Sequence, residues 1–117
     1  MPKENKLADL SMQFAVMVLK FSDTIHGHHA LVNQLERSGT SIGANIHEAQ
    51  YAHSPADFAA KLQIALKECY ESEYWLELFE RSEIATAESI APLMTLCKQI
   101  RFLLIMSVNT VKSRNPD

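Results

Sequence analysis

The chain has 117 residues, a mass of 13.2 kDa and a formal net charge of -3. This length predicts one domain over residues 1–117, and an apolar content of 47% is enough for a hydrophobic core. A pI near 5.9 gives no general electrostatic reason to bind nucleic acid.

The first predicted helix covers residues 5–25. Apolar residues from Leu7 to Ile25 recur at three- and four-residue steps, which is typical of an amphipathic helix. His26, His28 and His29 follow and break the pattern. This histidine cluster is a possible site for a soft divalent ion, but a polar loop between helices is the favoured interpretation.

The second predicted helix, residues 30–52, is rich in small side chains. Gly39 and Gly43 lie four residues apart on one face, and each costs a helix about 1 kcal/mol relative to alanine. A helix that keeps both glycines needs something to approach closely: another helix, a polar group or a ligand. No cofactor or metal pattern lies nearby, so close helix packing is favoured.

Two longer helices complete the prediction. Ser54 and Pro55 are typical of a helix start, and the third helix is expected over residues 55–82. The fourth is expected over residues 89–113, because Pro92 is tolerated only in a first turn. Cys69 and Cys97 match neither a zinc nor a disulfide spacing, which indicates small buried residues in a reducing compartment.

Short connections between four long helices predict an all-α, up-down-up-down antiparallel four-helix bundle. The apolar arcs of the third and fourth helices are wider than the interior of one bundle needs. The excess predicts contact with another subunit.

Two motifs then resemble a known family. Residues 40–49, Thr-Ser-Ile-Gly-Ala-Asn-Ile-His-Glu-Ala, resemble the second-helix signature of the bacterial four-helix bundle proteins that are encoded in intervening sequences of large-subunit ribosomal RNA genes. Residues 54–78 are similar to the family's third helix. The resemblance implies a left-handed bundle and ring-like homopentamers. It also implies a link to nucleic acid or reverse transcriptase, by analogy with the accessory variability determinant of diversity-generating retroelements.

Four polar residues lie in or beside these motifs: Asn45, Glu48, Glu68 and Glu71. Each pair is three residues apart on its own helix, so the four side chains are expected to converge where the second and third helices pack. Buried carboxylates must be paired or protonated. The candidate partners are backbone amides and the side chains of Lys67, Arg37, Tyr74, Ser38 and Ser41. A structural polar network is favoured over a solvated face, and over a catalytic or metal site.

No pattern of catalytic residues is found. The sequence has no Glu-x-x-His pair for a di-iron centre, no Gly-x-Ser-x-Gly elbow and no phosphate loop. The protein is therefore expected to be non-enzymatic and to need no cofactor.

Basic residues lie near both ends of the chain: Lys3 and Lys6 near the start, and Lys112 and Arg114 near the end. An antiparallel bundle brings these ends together, and a ring would repeat them around one rim. Two hypotheses follow: a homo-oligomeric scaffold or adaptor, and a nucleic-acid-binding accessory protein that uses the rim. The alternative for the rim is simple helix-terminal charge.

No targeting segment is visible, and the uninterrupted apolar run at residues 102–106 is too short to span a bilayer. We therefore expect a cytoplasmic protein with no membrane partner.

Overall fold

The computed structural model describes residues 5–114, which form four α-helices. These are α1 (Lys6–Ser22), α2 (His29–Ala49), α3 (Pro55–Arg81) and α4 (Ala87–Arg114). The described residues contain no strand, which confirms the all-α prediction.

Local hydrogen bonds end the first two helices earlier than the apolar pattern predicts. After α1, the amides of Thr24 and Ile25 donate to carbonyls three residues back, and Gly27 then takes a positive φ of 80°. After α2, three successive amides from Gln50 onward again bond three residues back. Such tightened turns cannot continue an α-helix, although their side chains keep its spacing.

Side-chain caps set the starts of α3 and α4. The hydroxyl of Ser54 accepts from the amide of Asp57 at 3.1 Å, with Pro55 in the first turn. At α4, Thr86 is the cap and its hydroxyl accepts from the amide of Ser89 at 3.1 Å. The helix thus begins at Ala87, before the predicted Ser89, and Pro92 lies inside it rather than in its first turn.

Each helix packs against its neighbours in a closed square: α1 on α2, α2 on α3, α3 on α4, and α4 on α1. Contacts between α2 and α3 run antiparallel, since Arg37 meets Glu71 while Glu48 meets Lys61. The fully buried side chains lie on the inward stripe of every helix. The largest of them are Phe14, Leu35, Ile42, Ile46, Leu76, Phe79, Ile90, Ile100 and Leu104.

Within residues 5–114, α4 is the helix long and apolar enough to cross a membrane by length and composition. The short uninterrupted apolar run did not predict such a helix. Single polar residues interrupt the run, but they do not make the helix polar. Its inward residues pack in the core between α1 and α3, as in a core helix. Even so, only 33% of its most apolar stretch is buried.

Candidate functional site

The two helical glycines of α2 face α1. A Cβ at Gly39 would lie 3.0 Å and 3.3 Å from the methyl groups of Val18, and one at Gly43 would lie 3.3 Å from the hydroxyl of Ser11. The predicted close helix packing therefore concerns α1. The predicted packing of the second helix on the third therefore does not involve these two glycines.

An open groove of about 400 Å³ runs along the outer side of this contact between α1 and α2. Its walls are mostly small or apolar, which follows from the short side chains that let the helices approach. Beside the groove, α1 exposes three apolar side chains one helical turn apart: Met12, Val16 and Leu19. The residues that line the groove are Ala8, Ser11, Met12, Ala15, Thr40, Gly43, Ala44, His47 and Glu48.

Arg37 of α2 joins the two predicted acids of α3. Its guanidinium donates to Glu68 at 3.3 Å and to Glu71, and Glu71 also accepts from the indole Nε1 of Trp75 at 3.0 Å. Arg37 donates further to Gln34 at 3.3 Å on its own helix. The side chain of Glu68 is only 13% exposed, so the pairing compensates much of the cost of its desolvation.

Asn45 and Glu48 lie apart from that cluster. The amide of Asn45 donates to the carbonyl of Ser41 at 2.9 Å within its own helix. Glu48 accepts from Lys61 at 3.0 Å in an exposed pair, and this hydrogen bond raises the pKa of Lys61. The four predicted residues thus do not converge on one network: Glu68 and Glu71 share Arg37, whereas Asn45 and Glu48 each make a separate contact. Asn45 is short enough to bond its own backbone instead of reaching α3.

The buried polar contact between α2 and α3 is made by Ser38 and Ser72, whose hydroxyls lie 2.8 Å apart. Both residues are fully buried. Ser38 is among the partners expected from the sequence, whereas Ser72 is not. The signal was present, since Ser72 follows Cys69 by three residues in the buried stripe of α3.

A further ion pair joins α3 to α4. The guanidinium of Arg101 donates to Glu73 at 2.7 Å and lies 5.3 Å from the ring centroid of Tyr70. The hydrogen bond to Glu73 raises the pKa of Arg101. This pair was not predicted from the sequence, because the two residues lie 28 positions apart on different helices and share no motif.

Cys69 and Cys97 are both free and fully buried. The thiol of Cys97 donates to the backbone carbonyl of Cys69 at 3.5 Å. Hydrogen bonding to Cys69, followed by burial, raises the pKa of the Cys97 thiol. This environment keeps Cys97 protonated and disfavours its use as a nucleophile.

The outer side of α4 exposes two large apolar side chains. Phe102 is 61% exposed and Met106, one turn later, is 51% exposed. Lys98 lies one turn before Phe102, and Lys112 lies beyond Met106. We call these four residues the α4 ridge.

The start of α1 and the finish of α4 lie at the same end of the bundle, as the antiparallel topology requires. Lys6 begins α1 at the end of the bundle where α4 finishes with Lys112 and Arg114. Arg114 also borders the connection between α2 and α3. Lys3 lies outside the described residues.

Across residues 5–114, no group of three or more His, Cys, Asp or Glu side chains is arranged to hold a metal ion. His28 is the residue before α2 and has a φ of 54°, and His26 lies in the same connection. The ion pairs and the Ser38–Ser72 contact described above join adjacent helices.

This geometry defines a class of protein: a helical bundle with ion pairs between its helices. The chain belongs to the 23S rRNA-intervening sequence protein family, whose sequence model matches residues 3–106. This confirms the resemblance carried by the two motifs.

One similar solved structure is a protein with unknown function from the S23 ribosomal protein family of Bacteroides thetaiotaomicron VPI-5482, determined at 1.70 Å. The two chains share 43% sequence identity with a TM-score of 0.82, over 87% of this chain and 97% of that one. No curated protein matches the chain.

Proposed function

We propose that this chain is a non-enzymatic scaffold or adaptor that acts as a homo-oligomer in the cytoplasm. The observation that supports the proposal is the unburied apolar surface of α4, where Phe102 and Met106 are each more than half exposed. A soluble chain gains free energy by covering such a surface, and a second copy is always available to cover it. The resemblance implies five subunits.

The polar groups support a structural role rather than catalysis. Arg37 binds two carboxylates at once, and Arg101 binds Glu73. A general base or nucleophile needs a free, activated group in a cleft, whereas these charges neutralise one another between helices. The raised pKa of the Cys97 thiol points the same way.

Size-exclusion chromatography coupled to light scattering tests the oligomer at micromolar chain concentrations. We expect five times the chain mass of 13.2 kDa. Because assembly adds stability in proportion to the logarithm of chain concentration, the unfolding midpoint should also rise as the protein is concentrated. A mass of one chain, with a midpoint independent of concentration, would contradict the proposal.

A second candidate function is binding of nucleic acid at the basic end of the bundle. Its support is that Lys6, Lys112 and Arg114 lie at one end, where a ring would repeat them. A mobility-shift assay with single-stranded and duplex RNA at low ionic strength tests it, with the double variant Lys112→Glu/Arg114→Glu as the comparison. Absence of a shift at the lowest salt excludes this candidate, because phosphate contacts are strongest there.

A further inference from the structure

We propose that the α4 ridge of one copy docks in the groove between α1 and α2 of the next copy. The inference rests on the proposed homo-oligomer and specifies its interface. Two different surfaces would meet, so the contact is heterologous and propagates around a ring instead of stopping at a dimer.

Shape supports this pairing. The groove is walled by small side chains, among them Ala15, Gly43 and Ala44, and so it has room for a large one. The ridge carries Phe102 and Met106, two large apolar side chains one turn apart that nothing covers in the single chain. Aromatic and methionine side chains are enriched at the centres of protein interfaces.

Charge supports it as well. On α2 the small residues of the groove lie between Glu36 and Glu48, and on α4 the apolar pair lies between Lys98 and Lys112. Glu48 is held by Lys61 in its own chain, whereas Glu36 and both lysines make no ion pair within residues 5–114. The unpaired carboxylate of Glu36 beside the groove is therefore complementary to the two unpaired lysines of the ridge.

Register supports it too. Helices α2 and α4 begin at the same end of the bundle and run in the same direction, so they stay parallel when copies sit side by side around a ring. Gly43 lies about 21 Å from the start of α2, and Phe102 lies about 23 Å from the start of α4, at a rise of 1.5 Å per residue. The side chain of Phe102 is thus level with Gly43, where the groove is lined by the smallest residue.

Two variants that each disable one surface test the pairing. Phe102→Asp destroys the ridge and leaves the groove intact, whereas Ala44→Arg fills the groove and leaves the ridge intact. Both positions are exposed, so circular dichroism should show a folded helical chain in each case. Alone, each variant should run as a single chain, with self-association weakened by about 30-fold or more.

Mixing the two variants gives the decisive measurement. One intact ridge and one intact groove remain, so light scattering should show a one-to-one pair of chains and nothing larger. A mixture that stays monomeric would overturn the inference, as would either variant alone keeping the mass of the wild type. If the wild-type chain is itself monomeric, the proposed oligomer fails and this interface fails with it.

A charge reversal and a control complete the experiment. Lys98→Glu should weaken assembly about fivefold, and adding Glu36→Lys should restore it. Tyr74→Ser alters an exposed aromatic residue on α3 and should leave the mass unchanged. Loss of assembly in Tyr74→Ser, with retention in Phe102→Asp, would move the interface to α3 and overturn the inference.

Discussion

The two glycines of α2 look equivalent in the sequence and differ in their surroundings. Gly39 is buried against Val18, a branched side chain with no exposed surface and little rotamer freedom. Gly43 lies against the hydroxyl of Ser11 at the floor of an open groove. An added methyl group therefore meets a rigid neighbour at the first position and a small one at the second.

We expect Gly39→Ala to lower the free energy of unfolding by about 1–2 kcal/mol, because overpacking against Val18 exceeds the gain in helix propensity. Gly43→Ala is the matched control, and it should be neutral or stabilise by up to about 1 kcal/mol. Urea denaturation followed by circular dichroism measures both. Equal effects of the two substitutions would show that the contact with Val18 does not set the cost.

At the scale of the elements, the end of α3 is a Schellman motif built without glycine. The amide of Ile84 donates to the carbonyl of Phe79 at 3.0 Å, and that of Glu83 donates to Glu80 at 3.0 Å. Glu83 has a φ of 63°, in the left-handed region. Ile84 packs on the core, as this motif favours.

Because a side chain with a Cβ is disfavoured at positive φ, Glu83→Gly should raise the free energy of unfolding by about 1 kcal/mol. Glu80→Gly, three residues earlier and inside the helix, should lower it by about the same amount. Thermal unfolding of the two variants beside the wild type measures the difference. Destabilisation by both would argue that the side chain of Glu83 contributes more than its backbone strain costs.

At the scale of the whole molecule, the buried thiol makes stability depend on pH. The Cys97 thiol stays protonated in the folded chain, whereas in the unfolded chain it ionises near its ordinary pKa of 9.0. Above pH 9.0 the folded state therefore binds more protons than the unfolded state, and stability must fall as pH rises. The raised pKa of Lys61 acts in the same direction only near and above its ordinary value of 10.5.

Between pH 9.0 and 10.5 we expect the unfolding free energy to fall by up to about 1.4 kcal/mol per pH unit through Cys97. Cys97→Ala should be less stable overall but should show a shallower slope over this range. Chemical denaturation at several pH values under reducing conditions gives both slopes. Parallel slopes would mean that the thiol does not carry the dependence.

The helices and their inward stripes were predictable, because burial imposes one period on every long helix. The rotation of each helix relative to its neighbours was not predictable. The spacing of the two glycines therefore predicted a close neighbour but did not indicate that this neighbour is α1. Glu68 and Glu71 share a face by spacing alone, which brought both to Arg37. Asn45 is not part of the predicted network, because its side-chain amide bonds the backbone of its own helix and needs no second helix.

The square of antiparallel helices has one further consequence. Helix α1 starts and α4 finishes at the same end of the bundle, and the connections after α1 and α3 lie at the other. A tag joined directly to the start of α1 or to the finish of α4 would emerge from the same end. Copies that stand side by side with parallel axes would thus display every fused cargo on one side of the assembly and present only loops on the opposite side.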